Sequence, residues 1–304
     1  MIACFDIGGS AIKAAAAHAH DDVRPLPKVP TPLSDFDAFA ATIGELADQS
    51  GADRSQLIAI SIAGVVDAET GRITCANIPC IDGRALAADL KEKLGRSVLI
   101  ANDADCFALS EATVGAGVGH RIVFGVIIGT GVGGGLVING NIHEGVGGFA
   151  GEWGHGPVSA TSAGNPPASI PRFACGCGQI GCIDTVGAAR GLERLHLHLH
   201  QAALSSTEII EAWENGEATA ARTIDCYVDI VSAPLAMTIN IVGASIVPVG
   251  GGLANCIPLV ELLDKAVRRR ILYKTDRPLV VPAKLKVEPG LVGAGILGLT
   301  EIAK

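Results

Sequence analysis

Three short apolar runs in this chain break abruptly into glycine, and no other feature narrows the folds open to it as much. Residues 1–7 run into Gly8-Gly9-Ser10, residues 122–128 into Gly129-Thr130-Gly131-Val132-Gly133-Gly134-Gly135, and residues 245–249 into Gly250-Gly251-Gly252. A glycine turn at a strand end leaves backbone N–H groups unobstructed. Such amides, helped by the hydroxyl of Ser10 or Thr130, can hold phosphate oxygens. Asp6 adds a carboxylate suited to hydrated Mg²⁺. Each loop alone also reads as an ordinary tight turn; three at strand ends favour nucleotide binding. The second loop satisfies G-x-G-x-x-G, but a dinucleotide fold needs a helix next, and Leu136-Val137-Ile138 before Asn139-Gly140 reads as strand and turn. No Walker A sequence is present.

The elements between the loops predict an α/β protein. Strand–turn–strand patterns open the chain and recur at 122–138, with further strands at 57–62, 98–101 and 246–249. Helical spacing covers 35–49, 104–113, 190–204, 206–215, 218–240, 258–273 and 290–302. Hairpins exclude a purely parallel sheet, and the repeated strand–glycine–strand unit suggests two related halves. A small domain is expected over 1–110, rejoined by the C-terminal helix 290–304, with a large domain over 111–289.

Charge and apolar patterning remove several function classes. With 31 Asp+Glu against 23 Lys+Arg the net charge is −8, which argues against a general nucleic-acid or anionic-membrane binder. A local basic pocket for an anionic ligand stays open. No charge occurs between Asp229 and Glu261, but Pro234, Asn240, Pro248 and the glycine triplet predict helix, turn, strand and loop rather than a membrane span. Residues 1–7 lack the basic lead and cleavage pattern of an export signal. Nine cysteines in such a chain predict a reducing, cytoplasmic setting, where clustered thiols more often bind metal than form disulfides.

Asn102-Asp103-Ala104-Asp105 places carboxylates just beyond a buried strand, where α/β proteins present groups to ligands. Asp103 is read as a general base for a hydroxyl attacking phosphorus, Asp105 as a cap or surface residue, and Asn102 as a polyol contact. Helix capping alone would account for the same residue types. Glu152-Trp153-Gly154-His155 sets polar groups among glycines, suited to neighbouring sugar hydroxyls. Cys175, Cys177 and Cys182 form a thiol cluster that His155 can complete as a Cys₃His zinc site. A redox pair or a nucleophilic cysteine suits three glycine-spaced thiols less well. The remaining cysteines read as small core residues, and His196, His198 and His200 as a solvated helix face.

Taken together and in order, these motifs resemble the ROK family of sugar kinases, within the actin/hexokinase-like ATPases, over essentially the whole chain. The resemblance implies a ribonuclease H-like, duplicated two-domain fold with MgATP between the domains. It implies ATP and Mg²⁺ bound by Asp6, Gly8, Gly9, Ser10, Gly129, Thr130, Gly131, Gly133, Gly251 and Gly252. Asp103 becomes the base for the sugar's 6-hydroxyl, and Gly64, Asn77, Asn102, Glu152, His155 and Asp184 the sugar contacts. Structural zinc falls to His155, Cys175, Cys177 and Cys182, and family members are commonly homodimers. Asp184 stands where the family carries a glutamate, one methylene shorter.

Within the family the pattern is closest to bacterial N-acetylglucosamine kinases. The segment Asn77-Ile78-Pro79-Cys80-Ile81-Asp82-Gly83 lacks the tryptophan of many glucose-specific members, and 155–175 is a long insertion. The expected function is phosphorylation of N-acetylglucosamine at O6, with glucose and N-acetylmannosamine as rival substrates and a non-catalytic sugar sensor as the rival class. A zinc hydrolase is disfavoured because H-E-x-x-H is absent. The family's repressors carry a helix-turn-helix ahead of the first loop; this sequence opens at that loop, so no DNA-binding partner is expected.

Overall fold

The computed structural model describes residues 1–304, which divide into two compact units. Unit 1 holds residues 1–119, 135–150 and 285–304, and unit 2 holds 120–134 and 151–284. The chain opens with β1 (Ile2–Ile7) and β2 (Ala11–Ala19), an antiparallel pair around Gly8-Gly9-Ser10. β3 (Asp22–Pro25) and β4 (Val29–Pro30) both pair with β2, and α1 (Phe36–Gln49) follows. β5 (Ile58–Ile62) lies parallel to β1. A β6 (Val65–Val66) and β7 (Ile73–Thr74) hairpin and α2 (Leu86–Leu94) lead to β8 (Val98–Asn102), parallel to β5, and to α3 (Asp103–Val114).

The second sheet begins with β9 (Ile122–Ile128) and β10 (Val132–Ile138) and continues into short β11 (Asn141–Ile142). After the β12 (Ser162–Ala163) and β13 (Ala168–Ser169) hairpin come α4 (Asp184–Gly187), α5 (Ala189–His200), α6 (Ser206–Glu214) and α7 (Ala218–Val242). β14 (Val247–Gly250) pairs in parallel with β9 and with β15 (Val280–Pro282), on either side of α8 (Ile257–Arg270) in sequence. The chain ends in α9 (Pro289–Ile302), back in unit 1. The strand orders are β3-β2-β1-β5-β8 and β11-β10-β9-β14-β15. Each sheet is thus a hairpin extended by two parallel strands, the repeat glimpsed in the sequence.

In unit 1 the sheet is buried on both faces, and side-chain size sorts the faces. Phe5, Ile7, Ile58, Ile60 and Ile62 pack with Phe39, Ile43 and Leu46 of α1 and with Leu90 of α2. Apart from Ile2, the alternate positions are small: Cys4, Ala15, Ala17 and Ala59 face Leu291 and Ala294 of α9. Small side chains under α9 let it approach closely, and its glycines extend that approach. A Cβ on Gly293 would overlap the Cys106 carbonyl of α3.

Several expectations are corrected. The division does not fall at 110/111, and 135–150 belongs to unit 1. α3 runs unbroken to Val114, and its fully buried Glu111 accepts from the Ala116 and Leu285 amides (2.7 and 2.8 Å), tying both segments to one helix. Gly135 likewise abuts the Ala104 carbonyl. α5 stops at His200, not Leu204, because Gln201 turns into the left-handed region (φ 55°). α7 passes through Pro234 and ends at Gly243. It is long and apolar enough to cross a membrane, and 56% of its apolar window is buried inside the protein. The three histidines do not form one solvated face: His198 is exposed and His200 half-buried, but His196 is 1% exposed, with its Nδ1 2.8 Å from Thr223 Oγ1 on α7. Of the six scattered cysteines Cys80 is half-buried; the others are core, and burial pushes Cys4 up to about 12.

A Gly293→Val variant should separate α9 from α3. Because the obstacle is main chain, the loss should reach the upper end of overpacking costs, about 3 kcal/mol, measured as a lowered urea midpoint.

Candidate active site

In unit 1 the parallel strands β1, β5 and β8 end in register, Ile7 opposite Ile62 and Ile62 opposite Asn102. Their carboxyl ends therefore share one edge, and two strand spacings put Ile7 about 10 Å from Asn102. Open α/β sheets bind ligands along such an edge. Asn102 caps α3 by accepting from the Ala104 amide (2.8 Å), while its Nδ2 donates to the Gly64 carbonyl (2.9 Å). Asp103 follows in the helix's first turn, half-buried, with Oδ1 accepting from the Ala104 amide (2.9 Å). Asp105 is neither cap nor surface: Asn102 is the cap, and Asp105 is 5% exposed.

The first glycine loop joins this edge. Gly9 packs on Asn77, where a Cβ would lie 3.0 Å from the Asn77 carbonyl oxygen; the Asn77 and Ser10 side chains are exposed. The Gly8 carbonyl accepts from Thr31 Oγ1 (2.6 Å). Asp6 Oδ1 accepts from Ser61 Oγ (3.0 Å) and Oδ2 from Lys13 Nζ (3.2 Å), and Lys13 also pairs with Glu288 (2.6 Å). Burial opposes the Lys13 charge, but its bonds to Glu288 and Asp6 prevail and raise its pKa. Lys13, Ser61 and Glu288 were not singled out from sequence. Hairpin pairing about Gly8-Gly9-Ser10 sets Asp6 opposite Lys13, a signal that counting residues across the turn would have found.

Unit 2 brings together the second and third loops. β14 and β9 end side by side, with Gly250 opposite Ile127. Gly251 has φ 91°, and a Cβ there would overlap the Ile128 carbonyl; the Gly129 amide bonds the Gly131 carbonyl (3.0 Å). Gly129 and Thr130 begin this turn and Gly252 opens a short 3₁₀ turn over 252–255. Trp153 Nε1 donates to the Gly133 carbonyl (2.9 Å), locking 151–154 against β10. Asp184 Oδ1 accepts from the Val132 amide (2.8 Å), and its own amide bonds the Gly154 carbonyl (2.9 Å). Asp184 thus buttresses the second loop. Glu152 lies 3.9 Å from His155 Nε2; burial raises its pKa, His155 opposes the shift and Asp184 adds to it.

Beside this wall His155, Cys175, Cys177 and Cys182 converge, all four ligand atoms within 4.8 Å of one another. Cys175 Sγ is 3.7 Å from His155 Nδ1, and Cys177 Sγ is 3.6 Å from Cys182 Sγ. A tetrahedral zinc with bonds near 2.3 Å to sulfur has ligand–ligand edges of roughly 3.7 Å, so these side chains fit the ion. The Gln179 amide draws the Cys177 thiol down, to about 7. Cys182 accepts from the Gly156 amide (3.4 Å), the kind of supporting bond that stabilises a thiolate.

A family model described as the ROK family matches residues 2–301. The chain belongs to the ROK family. An N-acetyl-D-glucosamine kinase of Photobacterium profundum is 36% identical over 297 residues, covering 97% of this chain and 98% of that protein. A protein of the same name from Escherichia fergusonii is 35% identical over 300 residues, covering 98% and 99%. Among solved structures, a ROK hexokinase from Thermus thermophilus matches with TM-score 0.83 and 28% identity, covering 99% of both chains. A ROK glucokinase from Streptomyces griseus, solved with glucose and AMPPNP, matches with TM-score 0.74 and 27% identity, covering 98% and 99%. The fold is the actin/hexokinase-like fold of these ROK proteins.

Asp184→Ala leaves the Val132 amide without its acceptor. A loss of about 1–3 kcal/mol in stability is expected, with KM for nucleotide rising more than KM for sugar. Two-substrate steady-state kinetics check this; the reverse ordering would make Asp184 a sugar contact.

Proposed function

We propose that this ROK protein is an ATP-dependent N-acetyl-D-glucosamine kinase acting on the 6-hydroxyl. The observation that carries the reading is Asp103, held by the Ala104 amide at the shared edge of β1, β5 and β8 beside Asn102 and Gly64. In the proposed reaction the sugar O6 forms a bond to the γ-phosphorus, the bond to the β-phosphate oxygen breaks, and the hydroxyl proton passes to Asp103. Amides of the glycine loops stabilise charge on the phosphoryl oxygens. Both Asp6 oxygens are engaged by protein donors, which suits contact with Mg²⁺ through the ion's water shell. Glu152, His155 and Asn77 are assigned to the sugar.

The names of the curated relatives, at 34–36% identity along nearly the whole chain, favour N-acetylglucosamine over glucose. Glucokinase and N-acetylmannosamine kinase activities are the alternatives within the fold. A panel of these three sugars with ATP and coupled detection of ADP decides among them; no ADP release with any sugar would favour a silent sensor. Asp103→Asn should lower kcat by about 10²–10⁴-fold with a near-normal fold; a near-normal rate would remove Asp103 as the base. The family resemblance extends the proposal to a cytoplasmic homodimer, which light scattering of the purified chain tests for assembly.

Zinc is assigned a structural role. His155, Cys175, Cys177 and Cys182 would hold it, ordering the cysteine loop and fixing the His155 ring so that Nε2 faces Glu152. Wild-type protein is expected to carry about one zinc per chain by elemental analysis. Cys182→Ser should lose the metal and lower the thermal midpoint.

A further inference from the structure

We propose that the last turns of α8 and the segment after it form a second anion site, suited to a small ligand carrying two or more phosphate groups. A surface cavity of about 410 Å³ in unit 2 is lined by Lys265, Arg268, Arg269, Lys274, Thr275 and Asp276. Its volume lies within the ~300–1,000 Å³ typical of small-molecule sites. Residues 265–277 carry six Lys or Arg and a single acid, in a chain whose net charge is −8.

Two of the cations are anchored and two are uncommitted. Arg268 pairs through Nε with buried Asp264 (2.8 Å) and donates Nη1 to the Thr275 carbonyl (3.3 Å), which holds the returning segment against the helix. Lys274 donates to the Ile271 carbonyl (2.9 Å). Lys265 and Arg269 are exposed and have no carboxylate or carbonyl partner. They stand four residues apart on one helix face, an arrangement that like-charge repulsion disfavours. The helix macrodipole accounts for arginines in the last turn. It does not account for Lys265 a turn earlier, or for Lys274 beyond the helix end in the same cavity. Convergent Lys and Arg side chains reach phosphate oxygens from several directions with charge-assisted bonds, and one multiply charged ligand would neutralise them together.

The site is separate from the glycine loops. α8 begins shortly after Gly252, and its 14 residues put its C-terminal end about 20 Å along the helix from its start.

Calorimetric titration of the full-length protein with inorganic tripolyphosphate tests the proposal, with N-acetylglucosamine and a non-hydrolysable ATP analogue saturating. Binding should weaken as salt rises and fall by about tenfold or more in Lys265→Gln/Arg269→Gln, with unaltered kinase rate. Lys274→Gln, from the other wall of the cavity, should weaken it as well. Parallel titrations with glucose 1,6-bisphosphate and a nucleoside diphosphate separate phosphorylated sugars from polyphosphate chains as the source of the phosphate. Equal affinity in wild type and double variant would overturn the site, and so would equally tight binding of sulfate. The wild-type-to-variant comparison holds whether or not the kinase reading does.

Discussion

The candidate site in unit 1 depends on the close contact of α9 with α3 and with the small-residue face of the sheet. Gly293 rests on the Cys106 carbonyl, and Gly290 lies where a Cβ would come within 2.7 Å of Asp6 Oδ1. One helix therefore bears on both the strand that ends in the first glycine loop and the helix that begins with Asp103. Packed interiors resist small displacements, so this contact fixes the spacing of two functional groups 97 residues apart in sequence. Small residues are the condition for it: larger side chains at Cys4, Ala15, Ala17 or Ala59 would lift α9 off the sheet.

Polar groups in both units follow a common arrangement, in which side chains elsewhere in the unit hold the glycine loops. Thr31 steadies the first loop through the Gly8 carbonyl, while Asp184 and Trp153 hold the second through Val132 and Gly133. A loop already held this way loses less entropy when it orders around a ligand. Lys13 serves the same end electrostatically, bridging Asp6 to Glu288 at the start of α9. Glu288 itself adopts φ 49°, a conformation uncommon outside glycine, at the point where this bridge holds it.

Much of the site was legible because its signals are local. Strand–glycine–strand reads as a hairpin from a few adjacent residues, and the Cys175–Cys182 cluster is confined to eight positions. The misreadings arose where a residue's environment comes from a distant element. Asp105 looks like a capping acid until Asn102 is seen in that place, and His196 looks solvated until α7 covers it with Thr223. Asp184 is a different case: the resemblance assigns it to the sugar, and one of its oxygens also accepts from the Val132 amide 52 residues away, a contact its position along the chain does not announce.

By itself the sequence determined the two hairpin-led halves, the three glycine turns, the carboxylate at the head of α3 and the thiol cluster, since period and spacing along the chain set each of them. Tertiary structure alone decided that residues 111–119 and 135–150 belong with the N-terminal unit, that β1, β5 and β8 end in register, and that Lys13 and Glu288 meet at Asp6. Those outcomes depend on which strands pair and which helix covers them, and such choices are made by burial between segments far apart in the chain.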